Sequence, residues 1–292
     1  MTQPASPAGN ATTRLPPVDL APLRRHRRRR VLVQVAALAA TAFMVTPLYL
    51  ITLSAFSTRD ALNSFPKSFL PRDVTTSTVT RFLDTTGVLE SFRTSLIVGL
   101  QTLVLSLVIG APAGYAVARW VFRGRDLYQI GLLLIRALPI AVLAVPLSVI
   151  FLELDLYDTT YGVALVHTGL ALPTTVLITA SVFVSVPHDL EEAALLFGCT
   201  RAGAFRRVVL PMALPGVAAS SIFTFVLSWN EVFAAGVLTL RDRTLPALML
   251  SQLSQSGLDY RFAGGFAMVV PSLVFIAIMR RYLLNMWGST IR

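Results

Sequence analysis

Six apolar runs alternate with short polar stretches along this chain, at about 31–56, 94–116, 127–152, 161–186, 211–238 and 262–284. Each is long enough to cross a bilayer as a helix, which takes roughly 20 residues. In hydrocarbon a helix also satisfies its backbone polar groups without water. The pattern therefore predicts an all-α, polytopic membrane protein with six transmembrane helices. Two of the polar stretches are long. Residues 57–93, with FPKSFLP in their middle, read as an extramembrane segment, and residues 187–210 form a second one between the fourth and fifth runs.

The 187–210 stretch has an internal design. Asp189 followed by Glu192 is spaced as a capping box, the aspartate accepting from an orphan backbone N–H and the glutamate reaching back. Leu190, Ala194 and Phe197 fall at i, i+4 and i+7, on one helical face. Gly198 stands where a left-handed residue ends a helix. Thr200 is placed to cap a second short helix through Phe205–Val208, which Pro211 and Pro215 should interrupt.

Composition agrees with a membrane protein. Of 292 residues, 54% are hydrophobic and 14% charged, against about 25% charged in ordinary soluble domains. Residues 1–30 read as a disordered tail that ends in the basic run Arg24–Arg30. The run from Val31 is too long for a signal-peptide core and is taken as an uncleaved first span. With six spans, the N-terminus, the 117–127 loop, the 187–210 loop and the C-terminus share one side. That side carries 16 of the 25 Lys and Arg residues, the opposite side carries 8, and Arg136 lies within the third span. The positive-inside bias places the 187–210 hairpin and both termini in the cytoplasm. A hairpin tethered at both ends to spans is poorly placed to bind DNA.

Lys67 is the only lysine, so no G-K-[ST] phosphate loop exists, and ATP, if used, is bound by another chain. Cys199 is the only cysteine, which rules out an intrachain disulfide and a cysteine metal cluster. His26, His167 and His188 form no metal-binding spacing and read as structural or solvated.

Two sites place polar groups at membrane depth. Glu231 follows Asn230 in Ser228-Trp229-Asn230-Glu231 of the fifth run. A carboxylate at mid-bilayer costs on the order of 2.5–3.5 kcal/mol, so it should face a bundle interior, a partner or water. Arg136 lies near Pro139 and Pro146, and proline-bent helix is tolerated where it lines a cavity. Asn230, Glu231 and Arg136 are the candidate translocation-path residues; a structural hydrogen bond between helices is the alternative for Glu231, and snorkelling for Arg136.

Glu192-Ala193-Ala194, Gly198, Val208 and Leu210-Pro211 resemble the E-A-A-x3-G-x9-I-x-L-P motif of ABC importer permeases, with valine in place of isoleucine. Gly114-Tyr115-Ala116-Val117-Ala118-Arg119 at the end of the second run and S-W-N-E in the fifth are similar to segments of the carbohydrate (maltose- and trehalose-type) branch. The resemblance covers residues 31 to about 286 and is to the second, smaller permease of such importers. It implies the type I importer permease fold, within residues 31–292. It also implies a heterodimer with a homologous permease, two ATP-binding cassette subunits holding ATP and magnesium, and an extracytoplasmic solute-binding protein. This chain would be a non-catalytic subunit of the bacterial inner membrane, with no cofactor or metal of its own. The coupling helix of the family corresponds to residues 189–198, so Glu191, Glu192, Ala193, Ala194, Phe197, Gly198, Leu210 and Pro211 are the expected contacts to the ATPase. The ending LLNMWGSTIR departs from the G-A-V-K-G-like tail frequent in these permeases. The alternatives, a membrane enzyme or a secondary transporter, would need a catalytic dyad, a metal cluster or ion sites in several broken spans, and the sequence offers no such set.

Overall fold

The computed structural model describes residues 21–66, 69–70, 73–252 and 255–288; residues 1–20 of the expected tail and the 289–292 ending lie outside these. The chain divides into two units, residues 1–50 and 51–292. Helix α1 (Ala21–Ala55) makes up the described part of the first and runs five residues past its boundary; it already includes the basic run, so residues 21–30 are helical rather than a disordered tail. Arginine is a good helix former, and adding residues to an existing helix is favourable where starting one is not. Thr41 and Thr46 return their hydroxyls to the carbonyls of Ala37 and Ala42, so neither leaves a bare polar group on the apolar run.

The second unit continues with α2 (Arg59–Asn63), α3 (Ser77–Leu83), α4 (Val88–Arg119), α5 (Arg125–Ala137), α6 (Ile140–Glu153), α7 (Thr160–Ser185), α8 (His188–Leu196) and α9 (Arg201–Ala204). A π-helical turn (Phe205–Val209) leads into α10 (Leu210–Asn230), followed by α11 (Phe233–Leu238), α12 (Leu245–Gln252) and α13 (Leu258–Gly288). Among the described residues, five helices are long and apolar enough to cross a membrane, or six if the bent pair α5–α6 counts as one span. The structure corrects the expected third span, 127–152. Leu138 is extended (φ −71°, ψ 123°), the conformation favoured for a residue before proline, and α5 and α6 meet at 91° across Pro139. The fifth run is also broken, at Glu231–Val232, where α10 ends and α11 begins. Pro211, in contrast, does not interrupt its helix. Residues Arg201–Asn230 run on continuously because the π-turn, with Leu210 N–H bonded to Phe205 O, absorbs the donor that Pro211 lacks.

The core of this unit is α4 packed along α7, with α10 against both and α13 against α10. Small residues let the backbones close up, the device by which helices associate in lipid. A Cβ on Gly110 of α4 would sit 2.7 Å from Thr175 Cγ2 of α7, and one on Gly114 would sit 2.9 Å from the backbone N of Ala180. Gly110→Leu should therefore overpack the α4–α7 seam by about 1–3 kcal/mol. The check is thermal melting in detergent, with Gly131→Leu as the control, since a Cβ there meets open space. Equal melting of the two variants would contradict the tight seam.

The end of the unit remote from α8 is tied by polar contacts. Asp158, itself at φ +57°, accepts from the backbone N–H groups of Leu240, Arg241 and Asp242 at 2.8, 3.0 and 3.3 Å, joining the α6–α7 turn to the loop after α11. Ser95 of α4 accepts from Leu245 N at 2.7 Å, and Arg59 pairs with Asp259 at 2.6 Å.

Candidate functional site

At the other end of the bundle stands α8, reached from α7 through Val186-Pro187. The structure starts this helix at His188, with Pro187 at its N-cap and no side-chain cap, so the expected Asp189–Glu192 capping box is not formed. Proline fixes the turn one residue earlier, and Glu192 bonds His188 Nδ1 at 3.1 Å instead. The helix stops as expected. Gly198 has φ +86°, its N–H bonds Leu195 O at 3.0 Å, and Cys199 N–H bonds Ala194 O at 3.0 Å, a complete Schellman motif. Thr200 then caps α9 by accepting from Gly203 N–H at 3.1 Å.

The outward side of this hairpin is apolar. Phe197 and Leu196 are 90% and 88% exposed, and Leu190 lies on the same helix, also exposed. Glu192 is exposed beside them, Ala193 and Ala194 are partly covered, and Leu210 and Pro211 sit at the start of α10. Glu191 differs from its neighbours. It turns inward, where Tyr115 O–H donates to its Oε1 and Arg119 Nε lies 2.9 Å from its Oε2. A buried Glu191 is not free to meet an arginine on another protein, so the expected pair of exposed carboxylates reduces to Glu192.

The second polar site is the break between α10 and α11. Glu231 Oε1 accepts from the N–H groups of Phe233 and Ala234 at 2.8 and 3.0 Å, and Oε2 accepts from Ala235 at 3.1 Å. It thus closes the first turn of α11 as a cap residue would. His167 of α7, fully buried, reaches Oε2 with Nε2 at 3.1 Å and Ser228 Oγ with Nδ1 at 2.8 Å. Ser228 in turn donates to Thr102 Oγ1 of α4 at 3.2 Å. This chain of polar groups joins α4, α7 and α10 at membrane depth, and it explains how a carboxylate is held there: the N–H groups of Phe233, Ala234 and Ala235 at the start of α11 all donate to it. Trp229 adds a bond from Nε1 to Met268 O of α13 at 2.8 Å. Asn230 is exposed and its amide returns to Val226 O. Arg136 lies exposed in the last turn of α5 beside the 91° bend, and Glu231's ionic partner is His167.

Three side chains that organise these sites were not assigned a role from sequence: Tyr115, Arg119 and His167. The first two lie in the G-Y-A-V-A-R segment, whose i, i+4 spacing already put a phenol and a guanidinium on one face of α4. For His167 no local signal exists, since its partners lie 61 and 64 residues away in sequence.

Comparison with known proteins now decides the family. Residues 106–284 match the family described as binding-protein-dependent transport system inner membrane component. The chain belongs to that family. It is 30% identical to the diacetylchitobiose uptake system permease protein DasC of Streptomyces coelicolor over 257 residues, which is 86% of this chain and 93% of the relative. It is 35% identical to the trehalose transport system permease protein SugB of Mycobacterium tuberculosis over 63% of this chain and 69% of the relative. Among solved structures, a bacterial ABC transporter involved in the import of the acidic polysaccharide alginate contains a chain of the same fold. That chain has a TM-score of 0.68 and 19% identity, covering 89% of this chain and 98% of that one. A MetNI methionine ABC transporter chain aligns with a TM-score of 0.57 at 18% identity, covering 70% and 97%. As an inner membrane component of such a transport system, the protein is a helical permease, a transport subunit.

Proposed function

We propose that this permease imports a sugar or sugar derivative as one of two homologous halves of an ATP-driven importer, and that α8 couples it to a separate ATPase. The observation that carries the reading is the form of α8: a helix stopped by a glycine in the left-handed region, with Leu190, Leu196 and Phe197 presented outward at the end of the bundle. Exposed aromatic and aliphatic side chains on a capped helix suit a groove on a partner. Glu192, Ala193 and Ala194 line the same approach, and Leu210-Pro211 set the entry into α10. The charge bias supports a cytoplasmic α8 and cytoplasmic termini. ATP and magnesium belong to the ATPase, and an extracytoplasmic binding protein supplies solute at the opposite end. Relatives named for diacetylchitobiose and trehalose uptake support a saccharide. Asn230, exposed at the helix break, and Arg136, exposed at the α5–α6 bend, are the candidate path-lining residues; Glu231 serves the path by holding the break in place.

The test replaces Phe197 with aspartate. Phe197→Asp should insert normally and bring down little or no ATPase on affinity purification of the assembled importer, because a charge would replace an aromatic anchor that docking buries. Undiminished ATPase recovery would refute docking through α8. Uptake of labelled trehalose and diacetylchitobiose by cells with and without the chain tests the saccharide reading, and loss of neither would count against it.

A further inference from the structure

We infer that the Tyr115–Arg119 end of α4 is a clamp on Glu191 that makes α8 and α4 move as one body, so that Tyr115 and Arg119 are positioning residues of coupling. The inference rests on α8 as the docking helix. Its starting point is how α8 is held. Among the described residues, Glu191 is the only side chain that α8 buries. A nine-residue helix is too short to be stable alone, and most helices are fixed by burying an apolar face. This one points its apolar face outward and is fixed through a carboxylate.

Both carboxylate oxygens are engaged, Oε1 by the Tyr115 hydroxyl and Oε2 by Arg119. The Arg119 side chain is 6% exposed and that of Glu191 9%. The Nε–H is not aimed along its 2.9 Å contact with Oε2, so that contact is ionic rather than a linear hydrogen bond. Arg119 also donates from Nη2 to Val186 O at 3.0 Å, a carbonyl left without a helical partner where α7 ends. One guanidinium therefore ties α4, α7 and α8. The Tyr115 ring is set edge-on to Phe183 of α7, with centroids 5.7 Å apart, and against Phe205 of the π-turn at 4.7 Å. Gly114 allows this reach by bringing the α4 backbone against Ala180. A desolvated ion pair is a poor source of stability compared with apolar packing, but it admits one arrangement of its partners. The G-Y-A-V-A-R segment thereby gains a purpose: it carries displacement of α8 directly into the 32-residue helix α4, in addition to the covalent paths through α7 and α10.

The test uses the assembled importer with its ATPase and binding protein in lipid, and ATP–Mg with vanadate as the probe. Spin labels go on Cys199, the native single cysteine, and on a Val108→Cys substitution at an exposed position of α4. With the clamp intact, the Cys199–α4 distance should stay the same between nucleotide-free and vanadate-trapped states. In Arg119→Met it should shift by the few ångströms (about 1–5) over which helices slide past one another, and Tyr115→Phe should shift it in the same direction. Glu191→Gln, which keeps shape and loses charge, is the variant to use where Arg119→Met does not assemble. A distance that changes in the unmodified clamp, or one that stays fixed in all three variants, overturns the inference. Failure of docking itself would be seen separately, as unchanged ATPase recovery in Phe197→Asp.

Discussion

Gly198→Val is expected to leave the permease inserted and folded while reducing solute uptake by at least about tenfold, which corresponds to roughly 1.4 kcal/mol. The reason is local. A Cβ at Gly198 would meet no atom within 4 Å, so the substitution creates no clash. Its whole effect comes from φ +86°, a conformation that costs an ordinary L-residue about 1–2 kcal/mol and is an outlier for a β-branched one. The chain escapes by unwinding the end of α8, which frees the carbonyls of Ala194 and Leu195 and turns Leu196 and Phe197 away from their present direction. Such a penalty is small against the packing of α4, α7 and α10, so the melting temperature should scarcely change. Gly198→Asn is the control, since asparagine tolerates the left-handed region, and it should retain most uptake. The measurement is uptake and ATP hydrolysis side by side in vesicles containing the complete importer. Wild-type uptake by the valine variant would mean that the stop of α8 has no part in coupling.

Glu231→Ala should have the larger effect on stability. It would orphan three backbone N–H groups at the start of α11 and leave His167 buried without its carboxylate partner. Removing one member of a buried, hydrogen-bonded polar pair costs about 3–5 kcal/mol, so the detergent-solubilised protein should melt well below wild type and be recovered poorly. Glu231→Gln keeps an acceptor for part of the α11 turn and should fall between the two. The outcome separates two roles that sequence left open. A residue that only lined the path would lose uptake on conversion to alanine with an unchanged melting temperature, and that result would contradict the capping role.

How much was legible in the sequence can be followed residue by residue. The stop at Gly198 and the cap at Thr200 were readable because each depends on a few neighbouring residues and on backbone preferences intrinsic to glycine and threonine. The start of α8 was misread because aspartate at 189 is a good cap in isolation, whereas Pro187 and the end of α7 had already fixed the turn. Pro139 and Pro211 look alike as sequence signals, yet one bends a helix pair by 91° and the other is absorbed by a π-turn. What separates them is the backbone before the proline: residues 205–209 take a π-helical register, whereas Leu138 is extended.

The sequence by itself determined the membrane class, the helical architecture, the hairpin between the fourth and fifth apolar runs and the family motif. These depend on hydrophobic run length and short-range spacing, which survive without knowledge of the fold. Only the tertiary structure decided the direction each polar side chain takes. Glu191 and Glu192 are adjacent in sequence, but helical rotation places one against Tyr115 and Arg119 and the other in solvent. Glu231 and His167 meet across 64 residues of chain because α7 packs beside α10. Burial of a charge depends on what surrounds it in three dimensions, and that environment is built from segments remote in sequence.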